Sequence, residues 1–114
     1  MNSIRVLCVG NHSEYLDVLR YLLQSDGYEV VSAETGSQGL SMLTSQRFAG
    51  VLLEYDLPDA AATSVRAEMK RIKPDVPVLL FAGIDTQTPF LLRFFDSYIR
   101  DAGSRESFPY DFDC

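Results

Sequence analysis

Apolar residues along this chain follow two rhythms, and the rhythms alternate. Ile4 to Val9, Tyr28 to Ser32, Val51 to Leu53 and Pro77 to Phe81 are short runs rich in β-branched and other apolar residues, the pattern of parallel strands covered on both faces. Between them the spacing turns helical. Tyr15, Leu16, Val18, Leu19, Leu22 and Leu23 predict one apolar helix face laid against a sheet. Ser13 is placed to cap that helix, Glu14 suits its first turn, and it stops near Gly27. Thr35 opens a second helix carrying Leu40, Met42 and Leu43. A third runs from about Ala60 to Ile72 and ends before Pro74.

The last third of the pattern is less regular. Gly83 to Thr88 is expected to be a loop, and Pro89 suits a first helical position. Phe90, Leu91, Leu92, Phe94 and Phe95 are interrupted only by Arg93, so a short helix here is apolar nearly all round, either deeply buried or partly an interface. Ser97 to Arg100 is the predicted fifth strand. Five strands alternating with four helices, each crossover too long for a hairpin, define an α/β fold. The expected form is a flavodoxin-like three-layer sandwich with a five-stranded parallel sheet of order 2-1-3-4-5.

Composition narrows the function classes. The 114 residues suit one domain, and 46% hydrophobic content is ordinary for a globular protein. A net charge of −6 argues against nucleic acid as a partner. The one basic cluster, Lys70, Arg71 and Lys73, falls at a predicted helix end, where cations complement the macrodipole. Cys8 in a strand and Cys114 at the last position do not make a disulfide framework, so a reducing cytoplasm is the expected compartment. Nothing approaches the ~20 apolar residues of a membrane span, so no membrane partner is expected.

Chemistry concentrates where Gly50-Val51-Leu52-Leu53 runs into Glu54-Tyr55-Asp56-Leu57-Pro58. Carboxylates at the carboxyl end of a central strand sit where open α/β sheets bind ligands. The strand order brings Gly10, Asn11 and Glu54 to one edge, with Ala82 and Asp101 approaching it. Glu54, Asp56 and Asp101 converge there as one candidate metal site, with the Asn11 carbonyl as a further ligand. The plainer alternative has Asp56 in solvent and Asp101 capping its loop. His12 stands alone in sequence and reads as a solvated loop residue, and Cys8 as a buried structural thiol. Gly36-Ser37-Gln38-Gly39 lacks the first glycine of a dinucleotide fingerprint. No nucleophile, base and orienting group assemble, so no enzyme is expected.

The strand Ile4 to Val9 with the helix after it, Gly27-Tyr28-Glu29-Val30-Val31, the turn Leu52 to Pro58, Pro77 to Phe81 and Asp96-Ser97-Tyr98-Ile99 together resemble a response-regulator receiver domain over residues 1–103. That resemblance implies two-component signal transduction: a phosphoryl group passes from a histidine kinase to an aspartate ending the third strand, beside Mg²⁺ held by an acidic pair. The matching positions depart from it. Glu54 stands at the phosphoacceptor position and Gly10 and Asn11 at the acid pair. Ala82 replaces the switch hydroxyl and Asp101 the lysine. Only the switch aromatic, Tyr98, is kept, and its ring is expected to lie inward beside the small Ala82.

These departures point to a pseudo-receiver: a phosphorylation-independent protein-interaction module with no cofactor, whose partner is a kinase, another receiver or an output protein. Glu54 either imitates a phosphorylated aspartate or is a remnant. The alternative is a flavodoxin-like protein that binds a metal or small ligand at the acidic edge. Residues 104–114 form an aromatic and acidic tail, so the family's final helix is short or missing. Phe108, Tyr110 and Phe112 alternate with Pro109, Asp111 and Asp113, a period of two that Pro109 confines to an edge or irregular position. Either these aromatics lie across the uncovered face, or the tail is floppy or the chain cut short and a second subunit closes that face. Phe90, Leu91, Phe94 and Phe95, with the tail aromatics, are the expected partner surface, and a homodimer is the expected assembly.

Overall fold

The computed structural model describes residues 4–82 and 88–100. Among these residues eight elements follow one another: β1 (Ile4–Val9), α1 (Ser13–Ser25), β2 (Tyr28–Ala33), α2 (Gly36–Ser45), β3 (Gly50–Glu54), α3 (Ala62–Ile72), β4 (Val78–Phe81) and α4 (Thr88–Arg100). The four strands are parallel and lie in the order β2-β1-β3-β4. The central pair is the most buried: Val6, Val9, Val51 and Leu53 are fully enclosed. Such runs survive only between two helical layers.

Strand alternation divides the core in two. Val6, Cys8, Leu52, Leu79 and Phe81 face one side, where Leu16, Leu19 and Leu23 of α1 meet Leu92, Phe95 and Ile99 of α4. Leu7, Val9, Val51, Leu53 and Val78 face the other, against α2 and α3. Burial pushes the Cys8 thiol up to about 12, partly offset by the Arg20 charge, so it behaves as a small apolar side chain. Val18, expected on the buried face of α1, is 43% exposed; Leu16, Leu19 and Leu23 make the stripe without it. Ser13 is the first helical residue, with His12 rather than Ser13 at the N-cap. Thr35 does cap α2, its hydroxyl accepting the Gln38 N–H at 3.0 Å. Among the described residues no helix is long and apolar enough to cross a membrane.

The expected fifth strand is a correction. Ser97 to Arg100 forms the last turn of α4, and the sheet of the described residues has four strands. Leu92, Phe95 and Ile99 are buried at helical spacing, and a side chain at Gly50 would come within 2.5 Å of the Phe95 ring and 3.0 Å of Ile99 Cδ1. Tyr28 of β2 also donates its hydroxyl to Asp96. A four-residue apolar segment fits either period. Here packing against β3 selects the helix. Thr88, expected in the preceding loop, is its first residue, and Pro89 follows one position in.

Among the described residues, α4 lies on the face that a right-handed crossover from β4 to a further parallel strand does not use. Right-handed crossovers place α1 on one face and α2 and α3 on the other, because the chain moves one way from β1 to β2 and the opposite way thereafter. A parallel strand added beyond β4 by a right-handed connection requires its helix on the α2 and α3 face. Instead α4 shares the α1 face. It acts as a cover for the sheet.

Candidate functional site

Three chain segments meet at the carboxyl edge of the sheet, as the strand order requires: the β1–α1 loop, the end of β3 and the end of β4. Glu54 is the last residue of β3 and only 2% exposed. A buried carboxylate is costly unless it is hydrogen-bonded, and this one has a partner on each oxygen. Oε1 accepts the Asn11 backbone N–H at 3.1 Å. Oε2 pairs with His12 Nδ1. The loop that the sequence places beside Glu54 therefore closes over it.

His12 is the residue that sequence reasoning missed. Its side chain is 45% exposed, but its Nδ1 is held by Glu54. A lone histidine three residues past a strand carries no period, and only its contact across 42 positions reveals the partnership.

Gly10 makes room for the arrangement. A Cβ built there lies 2.5 Å from Glu54 Oε1 and 2.8 Å from Glu54 Cβ. The second of these atoms is fixed by the backbone and cannot swing away. The Glu54 carboxyl group, with Oε1 and Cδ close by, occupies the space into which a side chain at position 10 would project. Gly10 and Glu54 are thus one joint feature, and an acid at position 10 is sterically incompatible with this Glu54 conformer.

The remaining expected site residues are less concentrated. Tyr55, Asp56 and Ala82 line a cavity of about 190 Å³ with His12 and Glu54; Asp56 and Ala82 are exposed, and Tyr55 is 58% exposed. Ala82 is at the expected edge and brings no hydroxyl. Asp101 lies outside the described residues, as do Phe108, Tyr110 and Phe112. Tyr98 is partly buried on α4 rather than on the expected fifth strand, because the segment is helical. Phe95 also changes role, from partner surface to a fully buried core ring.

Among the described residues, the acid-pair positions give Mg²⁺ no carboxylate. The ion takes oxygen ligands and binds through carboxylates. Gly10 and Asn11 supply none, and both oxygens of Glu54 already have protein partners. Among the described residues no group of three His, Cys, Asp or Glu side chains is placed to hold a metal.

A second carboxylate works nearby as a structural tie. Asp59, in the loop after β3, accepts the backbone N–H groups of Gly36 at 2.8 Å and Ser37 at 3.0 Å. These are orphan donors of the first turn of α2. Donation from Ser37 and from Gly36 holds the Asp59 carboxyl below the usual carboxylate range.

Among the described residues, a parallel sheet of order β2-β1-β3-β4 with helices on both faces and a carboxylate ending its third strand has the flavodoxin-like architecture of receiver domains. The chain belongs to the response regulator receiver domain family, whose model matches residues 6–101. It is 30% identical over 82 residues to the transcriptional regulatory protein PrrA of Mycobacterium tuberculosis, covering 72% of this chain and 35% of that protein. With the transcriptional regulatory protein GlrR of Escherichia coli it shares 29% identity over 75 residues, 66% of this chain and 17% of that one. The chain thus spans about a third or less of these two regulators.

Solved structures give the same fold. A receiver domain protein (CheY-like) of Methanospirillum hungatei superposes with a TM-score of 0.73 at 20% identity, covering 93% of this chain and 98% of that one. The signal receiver domain of an HD domain-containing protein of Pseudomonas fluorescens gives 0.79 at 17%, covering 94% of each chain.

Proposed function

We propose that this receiver domain signals without phosphotransfer, by binding a protein partner, and that its former phosphoacceptor edge is held in one state. The observation that carries this reading is the enclosure of Glu54, with one oxygen on the Asn11 N–H and the other on His12 Nδ1. In-line phosphoryl transfer needs an accessible oxygen and a cation to gather charge, and a misplacement of about 1 Å costs about a hundredfold. Glu54 offers neither. His12 also supplies a partner within the chain for the negative charge of Glu54, which supports Glu54 as an internal lock rather than an idle remnant.

The partner surface in this reading is the outer side of α4, where Phe90 is 59% exposed, Phe94 49% and Leu91 38%. Exposed aromatics gathered on one helix are the composition of interface anchors. A kinase, another receiver or an output protein fits this surface, as does a second copy of the chain.

The test of the locked edge is incubation of the protein with acetyl phosphate and Mg²⁺, followed by intact mass measurement. The expected result is an unchanged mass. A phosphoryl adduct at Glu54, Asp56 or His12 overturns the reading.

A further inference from the structure

A cleft of about 380 Å³ opens between α1 and the carboxyl ends of β1 and β2, while the Glu54 cavity lies on the β3 side of β1. Its size is near the lower end of small-molecule pockets, roughly 300–1,000 Å³, so it suits a small ligand rather than a nucleotide or flavin. Its walls are tied in place. The Gly10 N–H donates to the Ala33 carbonyl at 2.9 Å, joining β1 to the end of β2. The Asn11 N–H is held by Glu54 Oε1, and the Glu34 N–H donates to Gln38 Oε1 at 2.9 Å beside the Thr35 cap.

Arg20, Asp17 and Glu34 line this cleft, and no ion pair joins them. Arg20 is half-buried; the two carboxylates are exposed. Among the described residues the Arg20 guanidinium meets the Ser32 hydroxyl and no carboxylate, and its Nε is buried with no hydrogen-bond partner. Asp17 stands three positions before it on α1, a spacing at which opposite charges pair on a helix surface, yet the two do not meet. Arg5 and Arg71 show the contrast, since each has its glutamate, Glu29 and Glu68. A cation drawn partly out of water is costly without a counter-charge. The charge of Arg20 also reaches inward to Cys8, where it partly offsets the rise in the thiol's pKa.

We infer that this cleft binds a small zwitterion, an α-amino acid, with its carboxylate on Arg20 and its ammonium between Asp17 and Glu34. A guanidinium takes a carboxylate through two parallel N–H···O bonds, and Arg20 has N–H donors beyond the one given to Ser32. The rim dictates the second charge. Asp17 and Glu34 repel a phosphate or a dicarboxylate, whose charge Arg20 alone does not balance, and they accept hydrogen bonds from an ammonium. Leu16 supplies a buried apolar wall, and Asn11 and Ser32 supply polar ones, so the ligand's own side chain is small or polar.

Asn11 borders both sites, because it lines this cleft and donates its N–H to Glu54. A ligand here rests against the segment that closes over Glu54. If the closed edge is the signalling state, a clause that rests on the functional reading above, this ligand is its input. Binding itself is independent of that reading: a phosphoryl adduct at Glu54 overturns the one and leaves the other standing.

Amide NMR of the isotope-labelled full chain tests the inference, with each protein amino acid titrated to about 10 mM, a concentration that reveals millimolar dissociation constants. The expected result is saturable shifts of the Gly10, Asn11, Ser32 and Glu34 amides with at least one of them. The same compound without its amino group, or without its carboxylate, should bind at least about tenfold more weakly. Arg20→Gln and, separately, Asp17→Lys should each weaken binding at least about tenfold. Asp17 is exposed, so its variant keeps the test decisive if Arg20→Gln unfolds. The absence of a saturable shift with every amino acid overturns the inference. So does equal binding of the deaminated compound, which marks a general carboxylate site, such as one for an acidic side chain of a partner protein. Binding that persists unweakened in either folded variant overturns it as well.

Discussion

The carboxyl edge of the sheet and the α4 flank are both unusual surfaces of this receiver, and they are unusual in opposite ways. At the edge a charged side chain has been taken inside and given partners: Glu54 is buried, with Asn11 and His12 on its oxygens. At the flank, apolar side chains have been left outside: Phe90, Leu91 and Phe94 are exposed while their neighbour Phe95 is fully enclosed. A buried ion left without partners costs several kcal/mol, so it is satisfied within the chain. An exposed phenylalanine is tolerated by the fold and becomes a gain only when something covers it. Among the described residues, the first surface is closed and the second is open.

Substitutions at adjacent α4 positions break this contrast most sharply. Phe95→Ala removes a fully buried ring packed over Gly50 and should cost about 3–5 kcal/mol in urea unfolding, a large part of the stability of a small domain. At the carboxyl edge, His12→Ala leaves Glu54 Oε2 without its partner and should cost about 1–3 kcal/mol, with His12→Gln recovering part of it; an unchanged midpoint would mean that the pair contributes nothing. Phe94→Asp, one helical step from Phe95, should move the midpoint by less than about 1 kcal/mol. The same variant should lose protein partners captured by the unaltered chain.

The smallest effect is a pH dependence. The Asp59 carboxyl titrates below its usual range because Ser37 and Gly36 donate to its charged form. A depressed carboxylate stabilises the fold fully above its unfolded pKa of about 3.9. That contribution is lost as pH falls through the lower folded value. Thermal unfolding followed below about pH 4 should therefore show a steeper loss in the native chain than in Asp59→Asn. Parallel curves would show that this tie does not couple α2 to the β3 loop.

What the sequence by itself determined is local and periodic. Four of the five expected strands, the first three helices and the placing of Gly10, Asn11, Glu54 and Ala82 toward one edge all follow from continuous apolar runs, helical spacing and crossover rules. What the tertiary structure decided is everything that depends on a distant partner. Ser97 to Arg100 is too short for its pattern to choose between strand and helix, and the pocket over Gly50 chose. Nothing local separates Phe94 from Phe95, yet one packs on β3 and the other faces outward. His12 looks solvated until Glu54 is folded against it, 42 residues away in sequence. Periodicity reports which way a residue faces along its own element, and only the packed fold brings its partner there.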